Sequence, residues 1–452
     1  MRKPSIRRVL AMVPALVVPL AAAPVAAASP AHHLEYFGGD YVPSLEMYSF
    51  NLNLNAAIKG RKGVPPITTV DAIRWAASAG FPAVDITAYY LPGYDTHTMP
   101  TVPTADIMAY ADQVKALTQQ LGLAISGTGV FNDFADLDTA RRALDIRRVE
   151  FWTDVAARMG APVMRVFSGK VPADIGQYGW ADITRTRIVP ALQEVTAYAA
   201  TKGVKIVLQN HGDMAATADQ TLRMLDWVGS SNISVIDDTG YFRPFQATTG
   251  LGYDWYPDIA RTLARSDSIQ VKQLPAGEGT DVPMDLDRLF TDMRLSSYRG
   301  FVPLELLWVA GQPGYPRDLP TPPFDQITAF KTKVDAALAE TKTEPFDVLR
   351  NGIRTLARSG DVAGPVRGQL YDILGQADGH YREARPGQAI ARMRDFLNRV
   401  ANPGPQSHLS DIAKQQLTRR MSALLTSFTD VFGGSPADPT PASTDHRGAP
   451  LS

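Results

Sequence analysis

The chain contains no cysteine. That excludes disulfides, thiolate metal sites and cysteine nucleophiles together, and is compatible with either side of a membrane. Histidine is scarce. Of the seven, His32, His33, His380, His408 and His446 fall outside the expected catalytic region, which leaves His97 and His211. Charge of one sign is also lacking: the formal net charge is -1, and no long basic run follows the extreme N-terminus. Nucleic acid and anionic membrane surfaces are therefore poor partners. Past that N-terminus no stretch is long and apolar enough to span a bilayer, and no phosphate-cradling glycine loop is visible.

What is present is ordinary for a globular protein with a sizeable core: 45% hydrophobic and 20% charged residues over 452 positions. The opening "MRKPSIRRVLAMVPALVVPLAAAPVAAASPA" has a basic start, an apolar middle and a small-residue end. This is the layout of a secretory signal with cleavage after Ala28, so a secreted or periplasmic location is expected.

Short apolar runs then alternate with amphipathic helical stretches eight times. The expected strands are 44–50, 82–87, 123–129, 162–168, 205–211, 233–238, 268–273 and 301–307. Several are rich in Val, Ile and Leu, as parallel strands buried on both faces are. The expected helices are 69–79, 104–121, 138–160, 184–202, 217–230, 255–266, 285–296 and 324–341, the fifth capped by Thr217 or Asp219. The count favours an α/β fold, a (β/α)8 TIM barrel over residues 43–341, rather than an open doubly wound sheet. After residue 342 come amphipathic helices separated by Gly and Pro. One stripe is Leu370, Ile373, Leu374 and Ala377, and another is Ala389, Met393, Phe396 and Val400. A small all-α helical bundle is expected over 345–430, with a disordered tail over 433–452.

In a barrel the chemistry sits where the strands end. Gln209 and His211 share one strand face, as do Gln270 and Lys272; Asp238 and Glu305 close their own strands. If these ends share a mouth, Gln209, Asp238, Gln270 and Glu305 form a ring of oxygen donors suited to a hard divalent metal ion such as Mn, Mg or Ca.

The segments "GFPAVDITAYYLPGY", "GAPVMRVFSG", "LQNHGDMAATADQTLRMLDWV", "VIDDTGYF", "IQVKQ" and "GFVPLELL" together resemble the xylose-isomerase-like barrel superfamily of sugar-phosphate isomerases and epimerases. The resemblance implies one divalent ion held by Glu, Asp, His and Glu, the two glutamates moving protons beside a sugar carbonyl. Here Asp238 and Glu305 are retained, while Gln209 stands for the first glutamate and Gln270 for the histidine. An amide oxygen binds a metal but accepts no proton at neutral pH. The related apurinic endonuclease type needs a histidine-rich zinc site that this chain cannot build.

The expectation is an exported sugar isomerase/epimerase-like enzyme that abstracts a proton next to the carbonyl of a sugar or keto-sugar. Glu305 is the base, His211 its acid/base partner and Lys272 an electrophilic helper, assisted by the divalent ion. Asp85, Tyr90 and Arg165 are placed to bind hydroxyls of the carbohydrate substrate. The alternatives are a keto-glycoside lyase or hydrolase and a non-catalytic carbohydrate-binding barrel. Each residue also has a plainer role open to it: a Lys272–Glu305 structural ion pair, a turn cap at Asp238 with Asp237 as its competitor, and an Arg165–Asp85 pair. The helices of 345–430 are similar to modules appended to secreted bacterial carbohydrate-active enzymes.

Overall fold

The computed structural model describes residues 41–433 except 61, 212, 249, 274–281, 297, 307–320 and 342. The expected signal segment and all but the first residue of the expected tail lie outside the described residues.

Eight parallel strands close into a barrel in chain order. They are β1 (Tyr41–Glu46), β2 (Ala83–Asp85), β3 (Ala124–Gly129), β4 (Val163–Phe167), β5 (Lys205–Gln209), β6 (Ile233–Asp238), β7 (Ser266–Lys272) and β8 (Gly300–Glu305). Closure is made by β8 against β1, with Leu304 opposite Leu45. Outside run α1 (Asn51–Lys59), α2 (Thr69–Ser78), α3 (Thr104–Gln120), α4 (Thr139–Met159), α5 (Ile175–Ile183), α6 (Val189–Thr201), α7 (Ala218–Val228), α8 (Tyr256–Thr262), α9 (Leu286–Leu295) and α10 (Phe324–Glu340). Local chemistry explains several of their ends. Thr217 and Gln220 form a reciprocal capping box at the start of α7, as Thr68 and Asp71 do for α2. Gly160 lets α4 exit in the left-handed conformation at φ 89°.

Three elements depart from the sequence expectation. The first strand runs 41–46 rather than 44–50, because the Glu46 carboxylate accepts the Tyr48 N–H and starts a 3-10 turn there. Helix α1 went unread: "NLNLNAAIK" alternates polar and apolar residues, a strand-like period. Helix α5 also went unread; two glycines lie within it, and glycine is a weak helix former. Gly179 does interrupt it, at φ 76° and ψ 163°, before a π-turn over Thr184–Ile188 leads into α6.

The C-terminal helices are α11 (Pro345–Arg358), α12 (Pro365–Arg382), α13 (Pro386–Ala401) and α14 (Asp411–Phe432). A two-residue ribbon, β9 (Val362–Ala363) against β10 (His408–Leu409), ties their connections together. The stripes Leu370–Leu374–Ala377 and Ala389–Met393–Phe396–Val400 are buried in one core with Phe346, Leu417, Met421 and Phe428; Ile373 only flanks it. Leu295 of α9 belongs to that core, so the bundle is docked on the barrel's outer ring. Arg288 of α9 clamps both carboxylate oxygens of Asp430 at 2.8 and 3.0 Å and reaches Asp254 at 2.9 Å.

Beside this clamp Asp292 is fully buried, and burial pushes its carboxyl up to about 8, with Asp430 acting in the same direction and Arg288 against it. The folded chain therefore keeps a proton on Asp292 that the unfolded chain releases near pH 4. The contribution of Asp292 to stability is present below about pH 4 and is lost as pH rises to about 8. Asp292→Asn removes that dependence on pH. Its melting temperature minus that of the wild type should grow between pH 4.5 and pH 8.5, at about 2–4 °C per kcal/mol. A difference independent of pH would contradict the assignment.

Candidate functional site

A cavity of about 270 Å³ opens at the C-terminal ends of the strands, lined by Glu46, Tyr48, Tyr89, Arg165, Gln209, His211, Tyr241, Gln270, Lys272 and Glu305, among others. Its floor is set by strand register. Lys272 lies opposite Glu305, and Asp238 lies opposite Gln270. The Lys272 ammonium sits 2.6 Å from Glu305 Oε1 and 3.4 Å from Asp238 Oδ2, and all three residues are buried. Burial alone would lower the lysine, but the two carboxylates outweigh it and hold the ammonium above the ordinary lysine range. Burial lifts Glu305 above the usual carboxylate range, and Lys272 opposes that lift.

The backbone fits this lysine. Gly240 is needed because a Cβ there would stand 2.8 Å from Lys272 Cγ. The same glycine donates its N–H to Asp238 Oδ1 at 2.9 Å, and the Lys272 N–H is held by Thr239 Oγ1 at 2.9 Å. Asn210 locks the ends of β5 and β6 together. Its amide donates to the Asp238 carbonyl at 2.8 Å and accepts the Asp238 N–H at 2.7 Å. Asp237 points to the outer layer, where it accepts from Thr262 Oγ1 at 2.6 Å. Asp238 is therefore the inward carboxylate.

These positions decide how the four oxygen donors stand toward a divalent ion. Gln209 turns its NH2 toward Asp238 and, at 3.4 Å, toward Gln270 Oε1. A cation would need the opposite face of that amide. Between Asp238 and Glu305 a cation is already supplied by Lys272. Among the described residues no cluster of three or more His, Asp or Glu is arranged to hold a metal ion. As arranged, the two carboxylates are matched to the Lys272 ammonium, while Gln209 Oε1 is buried without a hydrogen-bond partner.

The other expected residues divide. His211 reaches the rim, its ring 4.1 Å from that of Tyr241 and 4.7 Å from that of Phe167, with Nδ1 3.5 Å from Asp213. Arg165 also reaches the mouth, over the rings of Phe167 and Tyr89. It donates to Tyr89 Oη at 3.1 Å and the Val130 carbonyl at 2.8 Å rather than forming a hydrogen-bonded pair with Asp85. Tyr90 is buried in the wall and donates to Asn51 Oδ1 at 2.8 Å, so Tyr89 is the tyrosine facing the cavity. Asp85 is buried below the mouth, where Ser126 donates to it at 3.2 Å.

One residue was missed. Glu46, at the end of β1, lines the cavity and accepts from the Thr87 hydroxyl and the Tyr48 N–H. The single carboxylate in the expected strand 44–50 was the available signal.

With the geometry in place, comparison with known proteins is informative about the fold. The family model described as "Xylose isomerase-like TIM barrel" matches residues 73–320, and that of the FIMAH domain matches 346–426. No curated protein sequence matches the chain. Among solved structures, 3-keto-D-glucoside 4-epimerase from E. coli is 14% identical, covering 64% of this chain and 98% of its own, with a TM-score of 0.46. D-psicose 3-epimerase is 15% identical, with 67% and 98% covered and a TM-score of 0.48. The IOLI protein with a zinc atom is 15% identical, with 66% and 98% covered and a TM-score of 0.46. At such identities and TM-scores these likenesses carry no statement about activity.

Replacing Lys272 by Met should leave Asp238 and Glu305 buried without their cation, at a cost of about 3–5 kcal/mol in urea unfolding. Adding Asp238→Asn and Glu305→Gln should recover most of that loss. A single variant as stable as wild type would mean that the ion pair is not formed.

Proposed function

The chain belongs to the xylose isomerase-like TIM barrel family, and on that premise we propose that it is a sugar isomerase/epimerase-like enzyme that removes a proton beside a carbonyl. The observation that carries this reading is the Lys272–Glu305 contact of 2.6 Å on the floor of the mouth. A carboxylate base and a fixed cation then meet one small ligand together. Glu305 takes the proton from carbon, the C–H electron pair becomes the new C=C bond, and the ammonium faces the charge developing on oxygen. Such a fixed charge in a water-poor pocket needs no reorganisation as the reaction proceeds. His211 and Arg165 at the rim bind or relay to the sugar hydroxyls. The cavity, near the low end of small-molecule sites, has room for about one sugar ring.

Gln209 is no base, so this mechanism relies on Glu305 and on Lys272 in place of a divalent ion. A keto-glycoside lyase would use the same base, and release of an aglycone distinguishes it. The N-terminal pattern supports action outside the cytoplasm. No helix among the described residues is long and apolar enough to cross a membrane.

Two experiments test the reading. Wild-type protein incubated with aldoses, ketoses and keto-glycosides in D2O should exchange the proton beside the carbonyl, followed by proton NMR. Glu305→Gln should slow that exchange by about 10²–10⁴-fold. Saturable sugar binding with neither exchange nor product would identify a binding barrel instead. Protein loaded with excess Mn2+ or Mg2+ and then desalted should hold no stoichiometric ion by elemental analysis. One ion per chain that is lost in Asp238→Ala would return the site to metal chemistry.

A further inference from the structure

The mouth holds a second pair of acidic groups that the mechanism above does not use. Glu46 and Asp85 close neighbouring strands, in register with each other, and both are buried. Two buried carboxyl groups side by side do not both ionise readily, so a proton stays on one of them. Glu46 is the middle one of three neighbouring strand-end carboxyl groups, between Glu305 and Asp85, so its ionised form meets two like charges. Donors reach both members of the pair: Thr87 and the Tyr48 N–H donate to Glu46, and Ser126 donates to Asp85 at 3.2 Å. The space for that carboxylate exists because residue 127 is glycine: a Cβ there would lie 2.9 Å from Asp85 Oδ2. Burial pushes Glu46 well above the ordinary carboxylate range, and the charges of Asp85 and Glu305 add to the rise. Only Glu46 of the two lines the cavity. Charged and titratable groups facing it are Asp85, Glu305, Arg165 and Tyr90.

Position gives this proton a use. Strand β1 is the direct neighbour of β8, Leu45 standing opposite Leu304, so Glu46 and Glu305 are adjacent on one side of the mouth. Gln209 stands three strands away on β5. Acid and base on the same side suit transfer along one face of a bound sugar, not inversion at a single carbon, which needs groups on opposite faces.

We propose that Glu46 is the second acid/base residue of this site and that, paired with Glu305, it carries out a 1,2-isomerisation of an α-hydroxy carbonyl sugar. The proposal rests on Glu305 being the base, as argued above. The step balances without any co-reactant. Glu305 removes the C–H proton, that electron pair forms C=C, and the carbonyl oxygen takes the Glu46 proton to give a cis-enediol. Glu305 then returns its proton to the neighbouring carbon. Glu46, now ionised, takes the proton of the other hydroxyl as that oxygen becomes the new carbonyl. Both carboxyl groups end as they began.

The test combines Glu46→Gln, Glu305→Gln and Asp85→Asn in the full-length protein. In D2O, Glu46→Gln should slow isomer formation by about 10²-fold or more, and should slow it more than it slows exchange beside the carbonyl, which Glu305 initiates. Glu305→Gln should lose both. Asp85→Asn removes the charge that holds the proton on Glu46, so the alkaline limb of isomer formation should move to lower pH; a structural role would not move it. A wild-type-minus-Glu46→Gln infrared difference at pH 7 should show the C=O band of a protonated carboxylic acid. Absence of that band, or isomerisation by Glu46→Gln at the wild-type rate, overturns the role of Glu46 alone. Exchange that persists in Glu305→Gln is a different result: it overturns the base, and this pairing with it.

Discussion

The constraint on which the mouth depends is the desolvation of its carboxylates. Asp238 and Glu305 are buried at the ends of β6 and β8, and neither position is tolerable for a charge without a partner. Lys272 supplies that partner from the strand between them. Much of the nearby backbone answers to it. Gly240 clears the lysine stem, Thr239 fixes its N–H, and Asn210 ties the β5 and β6 ends so that the inward carboxylate of β6 is Asp238 and not Asp237. A buried ion pair of this kind contributes little net stability compared with an apolar replacement of the same volume. Its place in a cavity, with perturbed groups on each side, is what a reactive site requires.

The same reasoning extends to the other half of the mouth. Arg165 and Lys272 face Asp85, Asp238 and Glu305, so the fixed cations nearly balance the carboxylates already. A further ionised carboxylate at Glu46 would have to share Arg165 with Asp85 and Glu305, and its proton relieves that excess. The stored proton is thus a consequence of strand-end crowding as much as of any one contact. The aromatic rings of Tyr89, Phe167 and Tyr241 surround Arg165 and His211, and they limit the water that would otherwise screen these charges.

The barrel was legible because its strands are continuous apolar runs separated by capped helices, and each run lies within a few residues of its strand. The floor of the site was legible for the same reason. Alternation within regular strands places Gln209, Gln270 and Lys272 inward. Reading failed where regular alternation stops. A 3-10 turn over Ala88–Tyr90 follows β2, so Tyr89 rather than Tyr90 faces the cavity. Extending the first strand to residue 50 hid Glu46 in its middle, when it is in fact the last residue and therefore stands at the mouth. Pairing was the other obscure quantity. Nothing in the order of residues distinguishes an Arg165–Asp85 pair from the Glu46–Asp85 pair that the fold makes.

The departures at Gln209, Gln270 and Lys272 make sense together as one electrostatic exchange. The arrangement implied by the family resemblance sets three carboxylates and a neutral histidine around a divalent ion, leaving a single negative charge. Here two carboxylates and two neutral amides surround one ammonium, and a single negative charge is again left. Losing the acid at position 209 alone would have left a divalent ion underneutralised. Adding the lysine alone would have set an ammonium against the metal. The two arrangements leave the same formal charge at the floor of the mouth, one around an exchangeable ion and the other around a covalently held ammonium. The cost falls on proton transfer, since Gln209 cannot act as a base. A site with this charge balance needs a proton-handling group elsewhere on its rim, and Glu46 beside Asp85 is where the fold provides one.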